Sequence, residues 1–205
     1  QTPKEYRLKV NLLLNAHAFI IPKYVDGIGE MKAGVFEVLN NILTDKDKHI
    51  LTTRIDNDDA VHQGFVAEIQ SLAAGQKEET VIDLKKGYQL ISQQSEHELR
   101  TLRTGYNHFI SLLEPIDDIK TVYFKFHKQW ADHGNVVSSH KRRLWMQIVH
   151  GKNIANKANS KSFVTNATPF SEFGFSLDTK KTPFLNRVAQ NTKASLKLLL
   201  KKNKP

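Results

Sequence analysis

The residues most suited to chemistry are the carboxylates of Asp56-Asn57-Asp58-Asp59, a stretch named here the acidic loop. Two carboxylates separated by one residue can point to the same side of a loop and share a hard divalent cation. Mg²⁺ and Mn²⁺ prefer such oxygen ligands, commonly one or two carboxylates completed by substrate phosphates. A cation held there would neutralise a diphosphate leaving group as its bond to carbon breaks. Asp56 and Asp58 are therefore the predicted metal ligands, and Asn57 can hydrogen-bond a hydroxyl or a phosphate without adding charge.

Two other interpretations of the acidic loop stay open. It could be a solvated turn in which Asp59 caps the helix predicted to follow. The pattern also occurs in phosphohydrolases, in which the first aspartate of the motif, here Asp56, is the nucleophile. Those enzymes usually follow the second aspartate with Gly-Thr, whereas Asp58 is followed by Asp59-Ala60. This difference disfavours the phosphohydrolase.

The elements that must position the acidic loop alternate between helices and strands. The apolar spacing predicts helices over 3–14, 31–43 and 61–72, and strands over 18–22 and 49–55. Such alternation is typical of an α/β layer with a mainly parallel sheet, and ligands bind at the carboxyl edge of such sheets. A domain that opens on a helix with nothing to pack against also leads us to expect further strands upstream of Gln1.

The second half of the chain reads as an α+β extension of this sheet. Strands are predicted over 80–84, 87–92, 121–126 and 144–149, and a helix over 127–133. Residues 158–181 lack periodicity and are predicted to be a loop or linker. Residues 182–205 are predicted to form a basic amphipathic helical tail. The sequence thus divides into a catalytic domain over 1–157, a linker over 158–181 and a tail over 182–205.

The charge of the chain is concentrated at its end. The net charge is +9, and residues 151–205 alone hold 11 Lys/Arg and 2 Asp/Glu, so the first 150 residues are balanced. A basic tail suggests contact with anionic lipid, nucleic acid or an acidic partner. The absence of cysteine excludes disulfides and thiolate metal sites. No apolar run is long enough to span a bilayer.

Several ordered motifs carry a resemblance to a known family. They are the stretch from Leu51 to Ala60 with Phe65-Val66, then Gly87-Tyr88-Gln89-Leu90, Asn107 to Pro115, Thr121-Val122-Tyr123, His127, His133, and Trp145 to Asn156. Together they resemble the bacterial putative rhamnosyltransferases over residues 1 to 157. The resemblance implies a GT-A type glycosyltransferase lacking its first strands, which moves a sugar such as rhamnose from a nucleotide-diphosphate donor to a glycan or lipid-linked acceptor. It also implies a divalent cation, Mg²⁺ or Mn²⁺.

The resemblance further implies roles for individual residues. His150, which ends an apolar strand, would be the third metal ligand beside Asp56 and Asp58, or else would satisfy backbone at the strand end. Glu114 would be the general base that takes the acceptor proton, with Asp59 as the alternative. The predicted substrate contacts are Arg54, Asn57, Gly87, Tyr88, Gln89 and Asn153. Arg54 could instead pair with Asp56 or Asp58, and Tyr88 could belong to the core.

The tail leaves three possibilities, which are docking on the body of the protein, contact with a membrane surface, and disorder. The resemblance implies a cytoplasmic enzyme, peripheral at the inner membrane if the tail binds lipid, with no nucleic acid partner expected. The competing hypothesis is a non-catalytic module that binds a polyanion or a membrane through the basic tail. A phosphohydrolase using Asp56 ranks last.

Overall fold

The computed structural model describes residues 3–93, 96–151 and 158–202, which form two compact units, Gln1–Lys48 and His49–Pro205. The first unit holds helices α1 (Lys4–Leu14) and α2 (Ile28–Ile42), both as predicted. The Tyr24 hydroxyl donates a 2.8 Å hydrogen bond to Asn11 on α1. The strand predicted over 18–22 is wrong. That segment pairs with no strand among the described residues, and Phe19 is 83% exposed, so its backbone lacks the partner that a strand needs.

Over its described residues, the second unit contains two sheets, two helices and several short 3₁₀ turns. The strands are β1 (His49–Thr53), β2 (Ala60–Val61), β3 (Thr80–Leu84), β4 (Lys86–Gln93), β5 (Glu96–Arg103), β6 (Ser111–Pro115), β7 (Val136–Ser139), β8 (Trp145–His150) and β9 (Phe163–Val164). The helices are α3 (Phe65–Ala73) and α4 (Phe184–Lys202). One sheet has the order β1-β6-β3-β7 and the other has the order β2-β8-β4-β5-β9.

Both sheets are mixed, which confirms a mixed α/β fold with a C-terminal helix. The expectation of a mainly parallel sheet is wrong, because five of the seven pairs between described strands are antiparallel. Parallel neighbours need a long crossover, usually through a helix. Here β3, β4 and β5 follow one another through short connections, so β4 and β5 form a hairpin. The parallel pairs are β3 with β7 and β4 with β8.

The core of the second unit lies where the two sheets and α3 meet. Phe65 and Ile69 of α3 pack against Ile82, Leu84 and Trp145 from the strands, and all are at most 6% exposed. The Trp145 ring stacks on Phe109 with ring centroids 5.1 Å apart, and its indole N–H donates to the Leu84 carbonyl. Burying such large apolar side chains is the main source of stability in this unit.

The strand predicted over 121–126 is instead the 3₁₀ turn Val122–Phe124. Its backbone groups bond to side chains rather than to a neighbouring strand. The Thr121 N–H donates to the Glu114 carboxylate, and the Val122 N–H donates to the Thr52 hydroxyl at 2.9 Å. These two N–H groups are therefore not available to hydrogen-bond a neighbouring strand. The helix predicted over 127–133 is likewise a 3₁₀ turn, His127–Asp132.

Residues 158–181 belong to the second unit rather than forming a separate linker. Phe170 and Phe173 pack with Leu90, Leu99 and Met146 on one face of the β2-β8-β4-β5-β9 sheet. The segment is also held by a buried imidazole. The Gly64 N–H donates to Nδ1 of His62, so Nε2 carries the proton and donates it to Glu172 at 2.6 Å. The tail is helical as predicted, beginning at Phe184.

Candidate functional site

The acidic loop connects the two sheets of the second unit. It begins at Asp56, shortly after β1 ends at Thr53, and turns at Asn57 and Asp58. The Asp59 N–H donates to the Asp56 carbonyl at 3.1 Å across this turn. The next strand, β2, then pairs antiparallel with the beginning of β8. Because β8 runs parallel to β4, the acidic loop lies at the carboxyl edge of these two strands. This is the edge at which α/β sheets bind ligands.

Strand pairing brings Asp58 to His150. Ala60 on β2 lies opposite Met146 on β8, so residues just before β2 lie beside the end of β8. There the His150 imidazole Nε2 is 3.2 Å from Asp58 Oδ2, although the two residues are 92 positions apart in the chain. Both side chains are about one-third exposed. The predicted juxtaposition of Asp58 and His150 is therefore observed, at the surface and within reach of a ligand.

Asp56 turns to a different partner. Its Oδ1 atom accepts from Nε of Arg54 at 2.9 Å and also lies 2.8 Å from Nη2 of the same guanidinium group. The predicted pairing of Arg54 with this carboxylate is thus observed. Asn57 is exposed on the turn. Within the described residues, no group of three or more His, Asp or Glu side chains is arranged to hold a metal ion. The three predicted ligands are therefore not assembled into one cluster.

The pair formed by Asp58 and His150 still fits a divalent cation. A carboxylate oxygen and an imidazole nitrogen 3.2 Å apart can both ligate one ion after small adjustments. Mg²⁺ and Mn²⁺ commonly bind through one or two protein ligands, with waters and substrate phosphates completing the coordination. Asp58 and His150 would supply the protein part of such a site.

Asp59 fixes the acidic loop against β8. The Ile148 N–H donates to Asp59 Oδ1 at 2.9 Å, whereas Oδ2 is buried and has no hydrogen-bond partner among the described atoms. Burial, reinforced by the charges of Asp58 and Asp56, raises the pKa of the Asp59 carboxyl from 3.8 to about 7. The Ile148 hydrogen bond opposes that rise. In this conformation, Asp59 positions the loop, and its free oxygen is closed to an acceptor hydroxyl.

Replacing Asp59 by asparagine is expected to stabilise the metal-free protein above neutral pH. The raised pKa means that folding is penalised once the unfolded carboxyl ionises near pH 4, and the penalty is complete above pH 7. The full shift is worth about 4 kcal/mol. Partial exposure reduces the expected gain to about 2 kcal/mol at pH 8, falling to zero below pH 4. Urea unfolding with a chelator present, at pH 8 and at a pH below 4, measures this gain in the free energy of unfolding.

The matched control for this prediction is Asp117→Asn, because Asp117 is exposed on a 3₁₀ turn of the same unit. Its effect is expected to stay within about 0.5 kcal/mol at either pH. An Asp59→Asn protein that is less stable than the parent at pH 8 would contradict the raised pKa.

A group of basic and imidazole side chains lies beside the acidic loop, and Arg54 is the one member that sequence reasoning had predicted to contact substrate. Arg54, His108, Lys125 and His127 line a small depression with Ile110 and Val122; we name it the basic pocket. The His108 and His127 rings have centroids 4.2 Å apart. Burial and then the neighbouring His127 lower the pKa of His108. The sequence does place His108 and His127 within the motifs that carry the family resemblance. That the two side chains lie next to each other, however, depends on the tertiary fold.

The placement of Glu114 disfavours it as the general base. Glu114 pairs with Ile50 at the start of β1, whereas the acidic loop follows the other end of that strand. Its carboxylate is fully buried and accepts from the backbone N–H groups of Lys120 and Thr121 at 2.7 to 3.1 Å. Burial raises the pKa of the Glu114 carboxyl, and these hydrogen bonds oppose the rise. The role that this environment supports is anchoring residues 120–121.

Gly87, Tyr88 and Gln89 belong to the packed body of β4 rather than to an open pocket. A Cβ added at Gly87 would lie 2.1 Å from the Trp145 ring, so the close approach that glycine permits is that of an indole. Tyr88 is half-buried against Phe173 with ring centroids 6.0 Å apart. Gln89 is 1% exposed and donates to Gln147 at 2.8 Å. The predicted sugar contacts at these residues are not supported, and Asn153 lies outside the described residues.

These features define an α/β protein with a carboxylate–imidazole pair at the carboxyl edge of the parallel strands β4 and β8, and with a basic pocket beside the acidic loop. A family model described as putative rhamnosyl transferase matches residues 1–162. Because the match covers well over half of the 205 residues, the chain belongs to the putative rhamnosyl transferase family. The predicted family is confirmed, and membership indicates a glycosyltransferase acting between a sugar donor and an acceptor. No curated protein and no solved structure matches the chain.

Proposed function

We propose that the chain is a metal-assisted glycosyltransferase of GT-A type that moves a sugar, such as rhamnose, from a nucleotide-diphosphate donor to a glycan or lipid-linked acceptor. The observation that carries this proposal is the approach of Asp58 to His150 at the carboxyl edge of β4 and β8. Family membership supports the transfer of a sugar, and the pair would hold a cation for the donor's diphosphate.

The chemistry required of the site is stabilisation of a leaving diphosphate. The bond between the anomeric carbon and the diphosphate oxygen breaks, and the acceptor oxygen bonds to that carbon as its proton passes to a base, for which Asp59 is the candidate. A divalent cation on Asp58 and His150 would neutralise part of the developing charge. Arg54, which is paired with Asp56 of the acidic loop, and Lys125 of the same basic pocket can neutralise more. Their fixed positions reduce the reorganisation needed as charge develops.

The roles of the remaining residues follow from their contacts. Arg54 holds Asp56 and stacks its guanidinium over the Tyr123 ring at 5.8 Å, so it is already positioned to meet an anionic ligand. Asp59 holds the acidic loop in register with β8. For Asp59 to act as the general base, its buried Oδ2 atom would have to become exposed when the acceptor binds.

Isothermal titration calorimetry with nucleoside diphosphates and Mn²⁺ tests the proposal. Binding is expected to require Mn²⁺, and Asp58→Asn is expected to weaken it by about 10- to 100-fold, because the amide is a poorer ligand for the ion. Asp117→Asn is the matched control, since Asp117 is an exposed carboxylate on a 3₁₀ turn of the same unit, outside both the acidic loop and the basic pocket. Binding that is independent of Mn²⁺, or equally tight after Asp58→Asn, would refute the role of the pair.

A further inference from the structure

The tail helix α4 docks on the body through one narrow stripe. Asn191 accepts from the Val164 N–H at 2.8 Å and donates to the Val164 carbonyl at 3.1 Å, which ties the helix to β9. Ala194 is 3% exposed, and Arg187 is partly buried on the same side. Residues 187, 191 and 194 are spaced by four and three positions, so they form a single line along the helix. This line is the face that the body of the protein covers.

The leucine-rich face of α4 is a different face and is exposed to solvent. Leu185 is 77% exposed, Val188 46%, Leu196 54% and Leu199 59%. At roughly 100° per residue, these positions centre about a third of a turn away from the docked line. An amphipathic helix normally buries its apolar side on its own protein. Here that side is left uncovered among the described residues, and the line of Arg187, Asn191 and Ala194 makes the contact with the body instead.

The charges beside this apolar face indicate what kind of partner binds to it. Lys193 and Lys197 are exposed along the next face, and residues 182–205 contain six Lys or Arg and no Asp or Glu. A second copy of the chain would bring the same positive charge against itself. An anionic lipid surface accepts the leucines among its acyl chains and pairs its headgroups with the lysines. No helix among the described residues is long and apolar enough to cross a membrane, so the contact would lie in the plane of the surface.

We propose that α4 binds anionic membrane surfaces through Leu185, Val188, Leu196 and Leu199, with Lys193 and Lys197 on the headgroups. The residues that build this surface lie beyond residue 162, where the family match ends. The proposal therefore rests on the geometry of α4 and does not depend on the metal site. It assigns a lipid-binding surface to the exposed apolar face of α4.

Co-sedimentation of the full chain with vesicles tests this proposal. Vesicles rich in phosphatidylglycerol are expected to bind the protein, and pure phosphatidylcholine vesicles are expected to bind it at least tenfold more weakly. Added salt should weaken binding to the anionic vesicles. The double substitution Leu196→Glu with Leu199→Glu should abolish binding while leaving urea unfolding unchanged, because both side chains are exposed.

Val66→Glu is the matched control, because Val66 is a 55% exposed apolar residue on another helix of the same unit. It introduces one negative charge, where the double variant introduces two, and should leave vesicle binding intact. Equal binding to both vesicle types, or retained binding by the double variant, would overturn the proposal. So would concentration-dependent dimerisation of the parent that the double variant removes, with no vesicle binding by either, since a second copy would then cover the face.

Discussion

Replacing Asp83 by alanine is expected to lower the free energy of unfolding by about 3 kcal/mol. Asp83 lies on β3 and is fully buried. Its carboxylate pairs with Lys85, accepts from the Tyr106 N–H at 2.7 Å and accepts from the Asn107 amide at 3.1 Å. Alanine would leave the Lys85 ammonium and the Tyr106 N–H without this acceptor, and Asn107 with only the Leu84 carbonyl, which costs more than the lost attraction itself. Urea unfolding followed by circular dichroism measures the change.

Asp118→Ala provides the matched comparison for Asp83. Asp118 also pairs with a lysine, Lys120, at 3.0 Å, but its side chain is 77% exposed. A solvent-exposed ion pair contributes little, so the substitution should change stability by less than about 1 kcal/mol. If both variants lost similar stability, burial would not be what makes the Asp83 network important.

The Asp83 network also affects the candidate site. Asn107 donates to the Leu84 carbonyl and accepts from the Phe109 N–H, so Asp83 and Asn107 together fix the turn that precedes β6. His108 lies within that turn, and the Tyr106 carbonyl lies 2.5 Å from Nδ1 of His127. Loss of Asp83 is therefore expected to disturb the basic pocket as well as the core. Sequence reasoning treated this stretch only as part of a resembling motif.

The elements that sequence reasoning found are those whose pattern is local. The helices α1 and α2 and the strands β3 and β8 lie within a few residues of their predicted bounds, because apolar periodicity is decided over a short window. The strand β5 was missed, since its sequence Glu-His-Glu-Leu-Arg-Thr-Leu-Arg is mostly charged or polar. Its leucines alternate irregularly, and pairing with β4 and β9 makes it a strand. Tertiary pairing overrides propensity in that case.

The candidate site could also be predicted only in part. Asp58 could be proposed because the acidic loop follows an apolar strand, whereas His150 was proposed only because the family resemblance implies it. The antiparallel pairing of β2 with β8, which brings the two residues together, was not predicted. The pairing of Asp56 with Arg54 was one of the alternatives that the sequence left open. The orientation of Glu114 was not predicted, because its carboxylate points into the packed interior to hold a loop. That outcome depends on which backbone N–H groups lack partners after folding, which the sequence does not state.

The packing at Gly87 gives a second large effect on stability, because Gly87→Ala is expected to destabilise the fold by about 3 kcal/mol. The new Cβ would lie 2.1 to 2.4 Å from Trp145 ring atoms, and Trp145 is 1% exposed, so the ring has no room to move. Gly134→Ala is the matched control, since nothing lies within 4 Å of a Cβ there, and it should be neutral. A double-mutant cycle with Trp145→Leu should show a coupling of at least about 1 kcal/mol, because the smaller side chain makes space for the methyl group. If Gly87→Ala instead kept full stability and weakened only sugar binding, Gly87 would line the substrate pocket, as the sequence first suggested.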